Sequence, residues 1–133
     1  MVDWKKFILI AFFIVFLDQI TKFLMKDVHF GLFNYVTNTG AAFSLFTGFN
    51  FILALISLVV IVFIVYFYKK NSKLLLPLAF LLGGTIGNLI DRVFFGYVRD
   101  FIDLKFWPVF NVADSFNVIG VAIICYLIIR NKI

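Results

Sequence analysis

The chain has 133 residues, of which 64% are hydrophobic and 14% are charged, and its formal net charge is +5. Soluble globular proteins carry about 25% charged residues, so this composition excludes a soluble protein and indicates an integral membrane protein. The basic residues lie in short clusters beside apolar runs, a pattern that indicates membrane topology and not nucleic-acid binding. The single cysteine, Cys125, excludes an internal disulfide.

Four apolar segments, each long enough to cross a hydrocarbon core of about 30 Å, predict a mostly α-helical bundle of four transmembrane helices. They form a single domain, residues 1–133, and cover roughly residues 7–24, 50–68, 74–92 and 109–129. No small-residue cleavage box follows the first run, so we expect a retained helix and not a cleaved signal peptide. The loop at 28–46 mixes apolar side chains, including Phe43 and Phe46, with turn formers, which predicts a small β-sheet region at the membrane interface.

Basic clusters flank the helices on one side. They lie at Lys5–Lys6, at 69–73 and at Arg130–Lys132, and four spans place all three on the same face. The positive-inside rule makes that face cytoplasmic. Every acidic residue except Asp3 then falls at or near the outer face; these are Asp18, Asp27, Asp91, Asp100, Asp103 and Asp114. This one-sided distribution predicts a single outward-facing polar site.

The first helix contains the motif LDQITK. Its Asp18 and Lys22 are four residues apart, so they lie on one helix face and can neutralise each other. We expect a structural ion pair that supports the site, because a carboxylate beside a fixed cation does not readily hold a proton.

The third helix contains the motif GGTIGNLIDR. Gly83 and Gly87 have the four-residue spacing that lets membrane helices approach closely. Asn88, Asp91 and Arg92 follow, and we predict that Arg92 pairs with Asp91 and keeps it ionised. This favours a supporting role for Asp91 over a proton-transferring one.

The segments VRDFID and FNVADS supply Asp100 and Asp114, which lie on either side of Pro108. A charge within a membrane helix costs about 2.5 to 3.5 kcal/mol on insertion scales, so an intramembrane carboxylate is a functional-site candidate. Two carboxylates held together share a proton, so that one deprotonates water while the other donates to the carbonyl under attack. Taken alone, Asn111 and Asp114 equally resemble a helix cap with an acid in the first turn.

These motifs, together with NTGAAFS and in this order across four spans, closely resemble the lipoprotein signal peptidases, the type II signal peptidases of bacteria. The resemblance implies an aspartic endopeptidase of the bacterial cytoplasmic membrane that cuts prolipoproteins just before a diacylglyceryl-modified cysteine. It also implies that Asp100 and Asp114 are catalytic. Other matching positions would shape the site or bind substrate, namely Asp18, Lys22, Asn38, Gly40, Asn88, Asp91, Arg92 and Asn111. We expect a monomer in contact with membrane lipids, and no metal or organic cofactor.

Three other chemistries are compatible with these residues. A serine–lysine peptidase would use Ser115 or Ser44 with Lys22. A metal-dependent phospholipid-head-group transferase would hold Mg²⁺ with four aspartates, Asp91, Asp100, Asp103 and Asp114. An ion-coupled transporter would need polar groups through the bilayer, but the second helix has only Ser57 in its interior.

Overall fold

The structure is a computed structural model, and it describes residues 2–40 and 48–133. Its four long helices are α1 (Trp4–Leu24), α2 (Asn50–Lys70), α3 (Leu75–Phe94) and α4 (Val112–Ile129). A 3₁₀ helix, Ser72–Leu74, links α2 to α3. Each long segment has the length and apolar character needed to cross a membrane. The predicted four-helix membrane fold is therefore confirmed.

Helix α3 is the centre of the bundle and packs against each of the other helices. Its glycines permit this, because a Cβ on Gly83 would lie 2.6 Å from Ile14 Cβ of α1. A Cβ on Gly87 would lie 2.5 Å from the Asp18 carboxylate and 3.2 Å from Ala113 Cβ of α4. The predicted close approach at both glycines is confirmed, and it brings the polar side chains of three helices together.

An aromatic cluster joins the beginning of α1 to the end of α2. The rings of Phe7 and Tyr68 stack with centroids 4.0 Å apart, and Trp4 meets Tyr68 edge-on at 5.0 Å. The Tyr68 hydroxyl also donates a hydrogen bond of 2.9 Å to the backbone carbonyl of Asp3. The N-terminus and the link between α2 and α3 therefore lie at the same end of the bundle.

A three-stranded antiparallel sheet lies at the opposite end. Its strands are β1 (His29–Phe30), β2 (Phe33–Asn38) and β3 (Val98–Ile102), in the spatial order β1-β2-β3. The register places Val36 opposite Asp100 and Thr37 opposite Arg99. The predicted sheet region is thus confirmed for β1 and β2, whereas Phe43 and Phe46 lie outside the described residues. Because strand β3 is largely buried, its side chains are fixed on both faces.

Helix α4 begins at Val112, three residues later than predicted. Phe110 remains extended because its backbone exchanges hydrogen bonds with Ile102 of β3, at 2.9 and 3.0 Å. Asn111 then caps the helix. The chain from β3 to α4 is therefore held by backbone bonds, which fixes the position of Asp114 relative to the sheet.

Candidate active site

Asp100 and Asp114 lie in the wall of the same cavity, which has a volume of about 230 Å³. Asp100 lies on β3 and is only 3% exposed, whereas Asp114 is in the first turn of α4. Asn38, the last residue of β2, and Gly40 form another part of the wall, and the Asn38 side chain accepts the Gly40 N–H at 2.9 Å. The structure thus brings together two carboxylates that are fourteen positions apart in the sequence.

Two asparagines connect these carboxylates. The Asn111 amide donates to Asp100 Oδ1 at 2.7 Å and to Asn88 Oδ1 at 3.0 Å. The Asn88 amide in turn donates to Asp114 Oδ1 at 2.8 Å. Asn38 adds a longer bond of 3.4 Å to the second oxygen of Asp100. Among the described residues, the side-chain donors to both aspartates are therefore neutral amides, which orient the carboxylates without adding a positive charge.

Asp114 also closes a capping box at the start of α4. Its backbone N–H donates to Asn111 Oδ1 at 2.8 Å, and its own Oδ2 accepts the Asn111 backbone N–H at 3.1 Å. The capping interpretation is therefore confirmed, and it is compatible with a place in the cavity wall. A helix N-terminus also favours a negative charge at this position.

The pKa of Asp100 is raised to about 7, because burial disfavours its charged form and the negative charge of Asp114 adds to this effect. Its hydrogen bonds from Asn38 and Asn111 act in the opposite direction. Within the described ranges, neither Asp100 nor Asp114 forms an ion pair with a basic side chain. At neutral pH Asp100 can therefore still hold the proton that a general acid needs.

A buried charge network lies next to the cavity. Lys22 Nζ contacts Asp18 at 2.7 Å and Asp91 at 3.3 Å, and it donates to the side-chain Oδ1 of Asn88 at 3.1 Å. The predicted Asp18–Lys22 pair is confirmed, and Asp18 also accepts the backbone N–H of Ala113 at 2.9 Å. Because Lys22 contacts Asn88, the network supports the amide that holds Asp114.

The predicted pair between Asp91 and Arg92 is wrong. Asp91 instead forms an ion pair with Arg99, whose Nη2 and Nε atoms donate hydrogen bonds to the Asp91 carboxylate at 2.8 and 3.1 Å. From the sequence alone, an extended segment would let Arg99 turn away from Asp100 toward water or lipid headgroups, but Arg99 is only 8% exposed. Successive side chains of a strand point to opposite faces, and the face opposite Asp100 packs on the helices. Arg92, one position further along α3, lines the cavity, and its buried Nε has no partner among the described residues.

Two polar residues of the site were not predicted. Gln19 donates to Asp18, to the Gly87 carbonyl and to Asp91, and its own oxygen accepts Arg99 at 2.7 Å. Asn117 lies in the cavity wall, one helical turn beyond Asp114. The sequence carried the same signal for both residues, which is an uncharged amide side chain within an apolar helix, three or fewer residues from an aspartate.

The residues of the competing chemistries are not brought together. Ser115 Oγ donates to the Asn111 carbonyl at 3.0 Å within its own helix, while Lys22 is occupied by its acidic partners. Ser44 lies outside the described residues. Asp103 pairs with Lys105 at 3.0 Å near the edge of the sheet and is not in the cavity wall, so the four-aspartate set is not assembled. Across residues 2–40 and 48–133, no group of three acidic, histidine or cysteine residues could hold a metal ion.

Comparison with known proteins gives a consistent result along the chain. Residues 10–130 match the Peptidase_A8 family model, described as signal peptidase II. The lipoprotein signal peptidase of Caldanaerobacter subterraneus subsp. tengcongensis is 47% identical, and the match covers 92% of this chain and 94% of the relative. The lipoprotein signal peptidase of Halothermothrix orenii is 40% identical, and the match covers 94% of this chain and 97% of the relative. A solved bacterial membrane enzyme at 2.3 Å resolution superimposes with a TM-score of 0.87 and 31% identity, covering 97% of this chain and 90% of that one.

Proposed function

This chain belongs to the signal peptidase II family, and we propose that it acts as an aspartic endopeptidase with Asp100 and Asp114 as its catalytic pair. As a family member it is a multi-pass bacterial membrane peptidase that removes signal peptides from prolipoproteins. The observation that carries the aspartic mechanism is the shared cavity, in which neutral amides hold both carboxylates. The nearby basic residues Lys22 and Arg99 are bound to Asp18 and Asp91 instead.

The proposed reaction uses one water molecule and returns both carboxyl groups to their starting state. Asp114 accepts a proton from water as the water oxygen attacks the scissile carbonyl carbon, and Asp100 donates its proton to the carbonyl oxygen. The tetrahedral intermediate then collapses: the proton on Asp114 passes to the leaving nitrogen, the C–N bond breaks, and Asp100 regains its proton. The products are a carboxylic acid and an amine.

In this proposal, the other residues that match the family's motifs position the two carboxylates or line the cavity. Asn88 and Asn111 orient the two carboxylates through the bonds described above. Arg92 faces the cavity with an Nε that has no partner in the described part of the chain, which suits a hydrogen bond to a substrate carbonyl. Asn38 and Gly40 form the wall on the sheet side. Asp18, Lys22 and Asp91 position the helices and do not contact the reacting atoms.

We propose that the bond cut lies just before a diacylglyceryl-modified cysteine. A second, mainly apolar cavity of about 350 Å³ shares part of its wall with the first, including Asp114, Trp107 and Phe110. An acyl chain in that cavity would lie directly beside Asp114 and would shield the site from bulk water. One chain supplies both carboxylates and both cavity walls, so we propose a monomer that receives its substrate from the surrounding lipid.

The proposed substrate is tested with purified protein in detergent and a diacylglyceryl-modified peptide, with cleavage located by mass spectrometry. We expect one cut before the modified cysteine. The matched unlipidated peptide should react at least about 100-fold more slowly, since each buried methylene contributes about 0.8 kcal/mol. Excess EDTA should not change the rate. A rate lost in EDTA and restored by Mg²⁺ would contradict the aspartic mechanism and favour a metal-dependent one.

We propose that the site faces the extracytoplasmic side, with both termini in the cytoplasm. All three basic clusters lie at the end of the bundle where α1 begins and α2 ends, and the cavity lies toward the other end. Single cysteines at positions 71 and 103, in a protein lacking Cys125, test this with a membrane-impermeant reagent on intact cells. We expect labelling at 103 only; labelling at 71 with protection at 103 would reverse the orientation.

A further inference from the structure

Asn117 carries a buried acceptor that nothing in the described ranges satisfies. It lies on α4 three residues after Asp114, about 4.5 Å further along the helix on a similar face. Its side chain lines the cavity that contains both aspartates, and its Oδ1 is buried without a hydrogen-bond partner among the described residues. An orphaned polar atom inside a membrane protein costs free energy that an apolar side chain would not.

The facing helix leaves room for this carboxamide. Gly84 of α3 lies opposite Asn117, and a Cβ on that glycine would meet the Asn117 side chain and lie 2.5 Å from the Ala113 carbonyl oxygen. The two residues therefore fit each other, but they do not satisfy each other, since the glycine Hα is at best a very weak donor. A purely structural role for Asn117 would require a hydrogen-bond donor for its Oδ1, and the described residues supply none.

A membrane peptidase substrate supplies the missing donor. To expose a peptide bond, the substrate helix must unwind near the cut, which frees backbone N–H groups that formerly bonded within that helix. In the hydrocarbon region, water does not replace those bonds, so the enzyme must provide acceptors. With α4 beginning at the outer face, Asn117 lies inward of the two aspartates, on the side from which the signal peptide arrives.

We propose that Asn117 is a substrate-binding residue whose Oδ1 accepts a main-chain N–H from the signal-peptide side of the scissile bond. This inference rests on the proposed function and orientation. It adds a subsite at Asn117 in the wall of the same cavity, one helical turn of α4 beyond Asp114.

The first test is Asn117→Leu, which removes the acceptor and keeps a similar volume. We expect the KM for the diacylglyceryl peptide to rise about tenfold, the equivalent of one neutral hydrogen bond, with kcat changed less than about threefold. The thermal unfolding midpoint should stay the same or rise, because the orphaned acceptor is gone. A structural role would instead lower that midpoint.

Asn71→Leu is the matched control. Asn71 accepts the Lys73 backbone N–H at 3.1 Å at the other end of the bundle, far from the cavity. This variant should lower the unfolding midpoint without changing KM. A KM for Asn117→Leu within twofold of the wild-type value would overturn the proposal.

The second test locates the donor, and its first arm uses the wild-type protein alone. In the substrate peptide, an ester bond replaces, one at a time, each of the three amide bonds that precede the cut, which removes one N–H group each time. We expect one ester to raise the wild-type KM about tenfold and to leave the KM of Asn117→Leu unchanged. If the wild-type KM for all three ester peptides stays within twofold of its value for the amide peptide, the proposal is wrong. The aspartic mechanism fails separately, through activity that survives in Asp100→Asn.

Discussion

Asp91→Asn is expected to lower the free energy of unfolding by about 3–5 kcal/mol, the usual cost of removing one partner from a buried ion pair. Asp91 contacts Arg99 at 2.8 Å and Lys22 at 3.3 Å, and its side chain is fully buried. Without its charge, Asp18 is the remaining acidic partner of Lys22 in the described ranges, and Arg99 has none. The thermal unfolding midpoint in detergent measures this loss, and cleavage should remain detectable at low temperature.

Asp103→Asn is the matched control for Asp91→Asn. It makes the same chemical change in an ion pair with Lys105, whose side chain is 62% exposed, and exposed pairs contribute little to stability. Its unfolding midpoint and its cleavage rate should both stay close to those of the wild-type protein. An Asp91→Asn protein that is as stable as wild type but inactive would contradict a supporting role for Asp91.

The charge network shows which interactions the sequence could predict. The pair of Asp18 and Lys22 was predictable, because a four-residue spacing within one helix fixes the geometry of the two side chains. The partner of Asp91 was not, because Arg99 reaches it through a strand whose inner face is set by tertiary packing. Sequence adjacency favoured Arg92, but neighbouring residues on a helix point about 100° apart. Arg92 therefore turns into the cavity and leaves Asp91 to Arg99.

The site itself shows a similar division. The apolar runs and basic clusters predicted four helices. The order of the elements along the chain then places the end of α1, the end of α3 and strand β3 at the same end of the bundle. The resemblance to a family indicated Asp100, Asp114 and the two asparagines Asn88 and Asn111, but not the hydrogen bonds by which those asparagines connect the carboxylates. Nor did it indicate Asn117, because its role depends on the space that Gly84 leaves on another helix. Contacts across helices depend on packing that no local pattern specifies.

The proposed catalytic pair, Asp100 and Asp114, makes the strongest prediction. Asp100→Asn and Asp114→Asn should each lower kcat by at least about 100-fold, because a positioned acid or base contributes roughly 100- to 10,000-fold. Asparagine keeps the shape of each side chain and loses its proton chemistry, so both variants should bind the uncleaved lipopeptide within about threefold of the wild-type affinity. Asp103→Asn, outside the cavity, again provides the control and should retain activity.

The most direct measurement is the single-turnover cleavage rate of Asp100→Asn at pH 6, where wild-type Asp100, with its pKa raised to about 7, holds its proton. We predict a rate below about one-hundredth of the wild-type rate, in a protein that binds the lipopeptide normally. A rate within about tenfold of wild type, with Asp91→Asn folded, binding-competent and inactive, would contradict the assignment. Asp91 and Asp114 would then be the pair to test.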